Sequence, residues 1–74
     1  MYHRQNKYMT FTLNGKLLKM ADNLNAYDLI IQLGYENQRI ALEINETIIP
    51  KSKHATFALN EGDIIEIIKA VGGG

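Results

Sequence analysis

The last six residues, Lys69 to Gly74, read KAVGGG and finish on three glycines. Glycine has no side chain, so a strand of glycines fits a cleft that is too narrow for other residues. A carboxylate on Gly74, reached along Gly72 and Gly73, would be open to chemistry inside another protein's active site. The same composition is also typical of a frayed end or a cloning scar. The tail therefore has two interpretations, a chemical handle or an unused remnant.

Other residues capable of chemistry are few. His3 and His54 are far apart, and no cysteine or carboxylate cluster accompanies them, so a metal site is not indicated. Ser52 lies two residues before His54, but a nucleophile needs a base that a third group positions in a pocket. The sequence has no cysteine and no glycine-rich loop between a strand and a helix, which excludes thiol and phosphate-cradling chemistry. These residues predict a protein that is not an enzyme and binds no cofactor or metal.

Length and charge narrow the class further. The chain has 74 residues, which is enough for one small domain. Eight Lys and Arg balance eight Asp and Glu, so there is no electrostatic footprint for nucleic acid or an anionic membrane. No apolar run approaches the ~20 residues of a membrane span, and the first residues lack the apolar stretch of a signal peptide. We expect a cytoplasmic protein that is a monomer when free.

The first half of the ordered sequence predicts a hairpin followed by a helix. Residues 9–13 and 16–20 alternate as strands do, and Asn14-Gly15 between them is a strong hairpin signal. Asn25 is a natural N-cap with Asp28 three residues later, and Gly34 is a natural helix end. We therefore predict a helix over residues 26–33.

The second half returns to strand periodicity. Residues 40–44 alternate, residues 47–49 form a short strand that ends at Pro50, and residues 64–68 form the last strand. The segment 51–59 shows no period and is predicted to be irregular, and residues 60–63 are predicted to form a tight turn.

One helix in a chain this short must cover one face of a single sheet. We predict an α+β fold of the β-grasp arrangement, with a mixed four- to five-stranded sheet. Its last strand would lie beside the first and parallel to it, although sequence order alone does not prove that pairing. The predicted organisation is a disordered leader at 1–8, the β-grasp domain at 9–71 and a flexible glycine tail at 72–74.

The last strand carries a clue about binding. Glu66 is rarely buried without a partner, so its face should point outward and carry Ile64 and Ile68 with it. Ile65 and Ile67 would then face the helix. Two outward isoleucines form an apolar patch, which often marks a partner surface. The alternative is that the loop around residues 54–57 covers one of them.

Several stretches together resemble the ThiS family of sulfur carrier proteins of thiamine biosynthesis. They are NGK, LIIQL and ALEINETIIPKSKHATFALNEGDIIEIIKAVGGG, and the resemblance covers Met9 to Gly74. The most specific part is the order of an N-x-x-I-I-P element, an EGD strand entry and a VGGG end.

The resemblance implies a β-grasp, ubiquitin-like fold and a function for the tail. In this family an E1-like adenylyltransferase (ThiF-like) uses ATP to adenylate the terminal glycine carboxylate, which here would be Gly74. A cysteine desulfurase or other persulfide donor then supplies sulfur, and the resulting thiocarboxylate serves thiazole synthase (ThiG-like). By the same resemblance Gly72 and Gly73 would thread the partner's active site. Ile64, Ile68, Ala70 and Val71 would dock the partners.

Two alternatives remain at this stage. The small subunit of molybdopterin synthase shares the fold, the glycine end and the thiocarboxylate, but it is usually longer and approaches its glycines differently. A ubiquitin-like modifier would instead join its tail to lysines. The ThiS family and these two alternatives differ in the partner that takes sulfur from the thiocarboxylate or becomes joined to the tail.

Overall fold

A computed structural model of the chain describes residues 7–70. Within them, five strands form one sheet and one α-helix packs against it. The elements are β1 (Tyr8–Leu13), β2 (Lys16–Ala21), α1 (Ala26–Gln32), β3 (Ile40–Ile44), β4 (Thr47–Ile48), a 3₁₀ helix (Lys51–Thr56) and β5 (Ile64–Lys69). β1 thus begins at Tyr8, which the sequence analysis placed in the leader. No helix in this part of the chain has the length and apolar character that crossing a membrane requires.

The strand order is β2-β1-β5-β3-β4. β5 runs parallel to β1 on one side, with Thr12 opposite Ile64, and antiparallel to β3 on the other. The remaining pairs are antiparallel hairpins. A mixed sheet with its last strand next to its first is the predicted β-grasp arrangement, so the fold prediction is confirmed.

Positive φ angles explain both hairpin turns. Asn14 and Gly15 have φ of 49° and 85°, as a two-residue turn that matches strand twist requires. Asn45 and Glu46 repeat the pattern with φ of 52° and 68° between β3 and β4. Asparagine tolerates this left-handed region because its short polar side chain bonds locally. The turns fix the register of both hairpins.

The ends of α1 follow from local hydrogen bonds. Asn25 Oδ1 accepts the backbone N–H of Asp28 at 2.7 Å, and Asp28 Oδ2 accepts the N–H of Asn25 at 3.1 Å, which completes a capping box. At the other end Gly34 has φ of 82°, and the N–H of Tyr35 reaches the carbonyl of Ile30 at 2.9 Å. Asn25 and Gly34 therefore bound the helix as predicted.

The core lies between α1 and the face of the sheet that α1 covers, here called the inner face. Its most deeply buried large side chains are Phe11, Leu29, Leu42 and Ile65. Phe11, Leu42 and Ile65 come from three different strands and Leu29 comes from α1, so one buried cluster joins the helix to three strands. β5, the middle strand, is thereby held at the centre of the domain.

The prediction for residues 51–59 was wrong. Lys51–Thr56 form a 3₁₀ helix that follows Pro50, whose φ of −61° suits the entry to a helix. His54 is buried, and its Nε2 lies 3.0 Å from the carbonyl oxygen of Ile49. This tertiary contact helps to hold the short helix, and no periodicity in the sequence signals it.

Candidate functional site

The face of the sheet opposite α1, here called the outer face, presents apolar side chains to solvent. Ile64 and Ile68 are 57% and 53% exposed, whereas Ile65 and Ile67 are 0% and 5% exposed. The orientation of β5 inferred from Glu66 is therefore confirmed. The alternative that the 54–57 segment covers one isoleucine is wrong.

The apolar surface extends beyond β5 onto its neighbours. Ala41 pairs with Ile68 across the β3–β5 ladder, and Ile48 on β4 is 66% exposed opposite Glu43. The outer-face residues of these three strands are Ala41, Glu43, Ile48, Ile64, Glu66 and Ile68. A sheet face with this many exposed aliphatic side chains is typical of a protein-binding surface.

Two turn asparagines hold β5 from either side. Asn14 Oδ1 accepts the N–H of Ile67 at 2.9 Å, and Asn14 Nδ2 lies 3.3 Å from the carbonyl oxygen of that residue. Asn45 Oδ1 accepts the N–H of Ile64 at 2.9 Å. Because β1 stops at Leu13, the Asn14 side chain takes the place that a longer β1 would fill. From its sequence context, Asn14 was predicted only to be a turn residue.

Replacing Asn14 with glycine is expected to destabilise the domain while keeping the turn. Glycine adopts positive φ freely, so the loss comes from the two bonds to Ile67, each worth about 0.5–1.5 kcal/mol. A loss of 1 kcal/mol lowers the melting temperature of a domain of this size by about 4–8 °C. Thermal unfolding measures the change, and Asn14→Asp, which keeps only the acceptor, should fall between the two. An unchanged melting temperature for Asn14→Gly would show that the hydrogen bonds between Asn14 and Ile67 contribute nothing to stability.

The turn that leads into β5 is fixed to β1. The Thr10 hydroxyl donates to one oxygen of the Glu61 carboxylate, and the Thr10 N–H donates to the other at 2.9 Å. These two hydrogen bonds hold the pKa of Glu61 below its usual range. The bond from the Thr10 hydroxyl has the larger effect, and the bond from the Thr10 N–H has the smaller one. The N–H of Gly62 also donates to the Thr10 carbonyl at 2.7 Å. β5 is thus anchored at its start as well as along its length.

The chain remains bonded to the sheet as far as Ala70. Its N–H donates to the carbonyl of Arg39 at 2.9 Å, one residue past the end of β5, and its side chain is exposed. The other predicted site residues, Val71, Gly72, Gly73 and Gly74, lie outside the described residues. The described part of the chain therefore stays attached to the sheet one residue beyond the central strand.

Residues 7–70 assemble no metal centre or nucleophile. They contain no group of three His, Asp or Glu side chains that could hold a metal ion. The His54 ring is engaged with Ile49, and no hydrogen bond joins it to Ser52, which is exposed. His3 lies outside the described residues.

Two hollows open on the described surface. The smaller, of about 370 Å³, lies on the outer face and is lined by Glu43, Asn45, Glu46, Ile64 and Glu66. The larger, of about 920 Å³, runs between α1 and β3, and its lining includes Tyr27, Tyr35 and His54. Neither brings a base to a nucleophile among its lining residues.

Comparison with known proteins decides the family. The model of the ThiS family matches residues 6–74. The chain belongs to the ThiS family. A crystal structure of the thiamine biosynthesis protein ThiS from Geobacter metallireducens superposes with a TM-score of 0.77 and 26% identity, over 89% of this chain and 100% of that one.

Two sequence relatives show the range of proteins that contain this domain. The sulfur carrier protein ThiS of Bacillus subtilis is 38% identical over 63 residues, which cover 84% of this chain and 96% of that protein. A thiazole synthase of Paramagnetospirillum magneticum is 35% identical over 66 residues, which cover 89% of this chain. The chain spans only 20% of that thiazole synthase. Membership in the ThiS family identifies the chain as a sulfur carrier of thiamine biosynthesis rather than a catalyst.

Proposed function

We propose that this ThiS-family chain carries sulfur as a thiocarboxylate on Gly74 and donates it to a forming thiazole ring. The observation that carries this proposal is the reach of the family match, which extends through residue 74 and so includes the glycine tail. The absence of cysteine adds support, because sulfur then has no side chain on which to travel as a persulfide.

The chemistry begins at the carboxylate. An oxygen of the Gly74 carboxylate attacks the α-phosphate of ATP, pyrophosphate leaves, and an acyl adenylate forms. The terminal sulfur of a cysteine persulfide then attacks the acyl carbon and expels AMP. A second thiol then attacks the cysteine sulfur of this acyl disulfide and breaks the S–S bond that came from the persulfide, which leaves a thiocarboxylate on Gly74 and a disulfide on the donor. A carboxylate is a poor electrophile, so the adenylate supplies the leaving group that sulfur must displace.

The partners follow from these steps. An E1-like adenylyltransferase supplies the ATP site, and a cysteine desulfurase or other persulfide donor supplies the sulfur. Thiazole synthase is the acceptor, a role supported by two bacterial thiazole synthases that contain a segment similar to this chain. We place their docking on Ile64 and Ile68 of the outer face, with Ala70 and Val71 continuing towards the tail. Burying these isoleucines against a partner would remove apolar area from water.

Intact-mass measurement tests the proposal. The chain is incubated with ATP, the adenylyltransferase and a persulfide donor, and a parallel sample lacks ATP. We expect one oxygen-for-sulfur exchange, confined to Gly74 by fragmentation and absent without ATP. Adding thiazole synthase with its substrates should return the original mass. An unchanged mass with ATP, the adenylyltransferase and the persulfide donor present and thiazole synthase absent, while a known ThiS protein gains sulfur under the same conditions, would refute the carrier role.

A further inference from the structure

The outer face carries two negative charges in direct opposition. Glu43 on β3 pairs with Glu66 on β5 in the register of the antiparallel ladder. Residues placed directly opposite have Cβ atoms about 4.5–5.5 Å apart, and like charges in such a pair are destabilising. Glu66 is exposed and Glu43 is partly buried, so both carboxylates border the outer face. The free domain therefore carries a repulsive pair in the middle of its apolar surface.

Nothing in the described part of the chain neutralises this pair. No ion pair reaches Glu43 or Glu66 within residues 7–70. Arg39 lies four residues before Glu43, which is about 13 Å along an extended strand. The hollow that the two glutamates line is completed by Glu46, Asn45 and Ile64, and no cationic side chain contributes to it.

The position of the pair relates it to the proposed docking surface. Glu66 lies between Ile64 and Ile68 on the same face of β5, and Ile48 is opposite Glu43. Exposed isoleucines therefore surround the two carboxylates on several sides. A partner that covers the isoleucines would also remove the carboxylates from water, and burying unpaired charge is costly. Docking on this face therefore requires a compensating positive charge.

We propose that thiazole synthase inserts an arginine side chain between Glu43 and Glu66 when it covers Ile64 and Ile68. This inference rests on the proposed docking function of the outer face and names the chemistry of the surface that binds it. A guanidinium group suits the position because its planar fork of donors can bond both carboxylates at once. Such a contact adds attraction in the complex and relieves repulsion that exists only in the free carrier.

Neutral substitutions test this inference, because they should affect folding and binding in opposite directions. Glu43→Gln and Glu66→Gln each remove one charge with little change in shape. The melting temperature of each variant should rise by about 1–5 °C as the repulsion is lost. Calorimetric titration with purified thiazole synthase should give binding about tenfold weaker at low salt. The salt dependence of the dissociation constant should also be shallower than that of the unaltered carrier.

Glu36→Gln is the matched control. Glu36 is exposed on the connection between α1 and β3, so its substitution removes the same charge at a different position. It should leave affinity unchanged. If the Glu43 and Glu66 variants bind as tightly as the control while Ile68→Asp loses binding, the arginine contact is refuted and the docking face stands. If Ile68→Asp also binds normally, the docking face itself is refuted. A change in self-association of the Glu43 and Glu66 variants, without a change in thiazole synthase binding, would identify a second copy as the occupant and overturn the proposal.

Discussion

Replacing Ile67 with aspartate is expected to unfold the domain, whereas the same substitution at the next residue, Ile68, is expected to leave it folded and unable to bind. Ile67 is 5% exposed and packs in the core, while Ile68 is 53% exposed. An aspartate at Ile67 would place an unpaired charge among aliphatic side chains, which costs more than about 4 kcal/mol. A domain of this size is only marginally stable, so loss of cooperative unfolding is the expected result.

The Ile68 variant separates folding from docking. An exposed substitution changes stability by about ±0.5 kcal/mol, with a further penalty because aspartate suits strands poorly. Binding to thiazole synthase should weaken by at least about tenfold, equivalent to 1.4 kcal/mol. Ile68→Thr is the control for strand propensity, since it keeps the β-branched shape but removes apolar surface. Circular dichroism reports folding and calorimetry reports affinity.

Each outcome of this pair has a definite meaning. A folded Ile67→Asp protein with normal cooperativity would show that this side chain does not face the core. Full affinity of Ile68→Asp for both the adenylyltransferase and thiazole synthase would remove the outer face from the docking model. An affinity for Ile68→Thr as low as that for Ile68→Asp would place the effect in lost apolar contact rather than in added charge.

The sequence predicted those features whose causes are local. Asn25 and Asp28 make a capping box within one turn of α1, so four residues of sequence contain the whole interaction. Gly34 and Asn14-Gly15 were recognisable for the same reason, because a positive φ favours particular residue types at single positions. The alternation of Glu66 with its isoleucine neighbours also predicted which way β5 faces, since period two is a property of one strand.

Features that depend on distant partners escaped prediction. Asn14 is hydrogen-bonded to Ile67, which lies 53 positions later in the sequence, and that bond forms only once β5 lies beside β1. His54 is buried on a 3₁₀ helix that packs against α1, an element much earlier in the chain, and its ring then meets the carbonyl of nearby Ile49. The opposition of Glu43 and Glu66 likewise required the β3–β5 register. In each case the side chain looked like an ordinary turn, loop or surface residue until the topology was known.

The candidate functional site shows the same division between local features, which the sequence predicts, and long-range contacts, which it does not. Sequence identified the isoleucines and the glycine tail, because exposure follows from periodicity and the tail follows from composition and family resemblance. The structure added the supports around them, since the bonds from Asn14, Asn45 and Thr10 all converge on β5 or the turn before it. A strand held by these bonds on both sides leads to Ala70, whose N–H is bonded to the Arg39 carbonyl, so the described chain stays attached to the sheet up to that residue.

Adding one alanine after Gly74 is expected to abolish sulfur transfer without changing the stability of the fold. The addition converts the Gly74 carboxylate into an amide, which does not attack ATP. It also moves the new carboxylate onward by about 3.3–3.6 Å when extended, whereas reaction needs the two atoms within roughly 3–3.5 Å. A methyl group would stand where a cleft shaped for glycine accepts only hydrogen.

The core of the described residues extends from Met9 to Ile67, so an addition after Gly74 should alter stability by no more than about 0.5 kcal/mol. The measurement compares the unaltered and extended chains for melting temperature and for ATP-dependent pyrophosphate release with the E1-like adenylyltransferase. Normal melting with no pyrophosphate is the expected result for the extended chain. Calorimetry with the same enzyme should still detect docking, because Ile64 and Ile68 are untouched. Adenylation and sulfur loading of the extended chain at the normal rate would show that Gly74 is not the handle, and the carrier mechanism proposed for this chain would then be wrong.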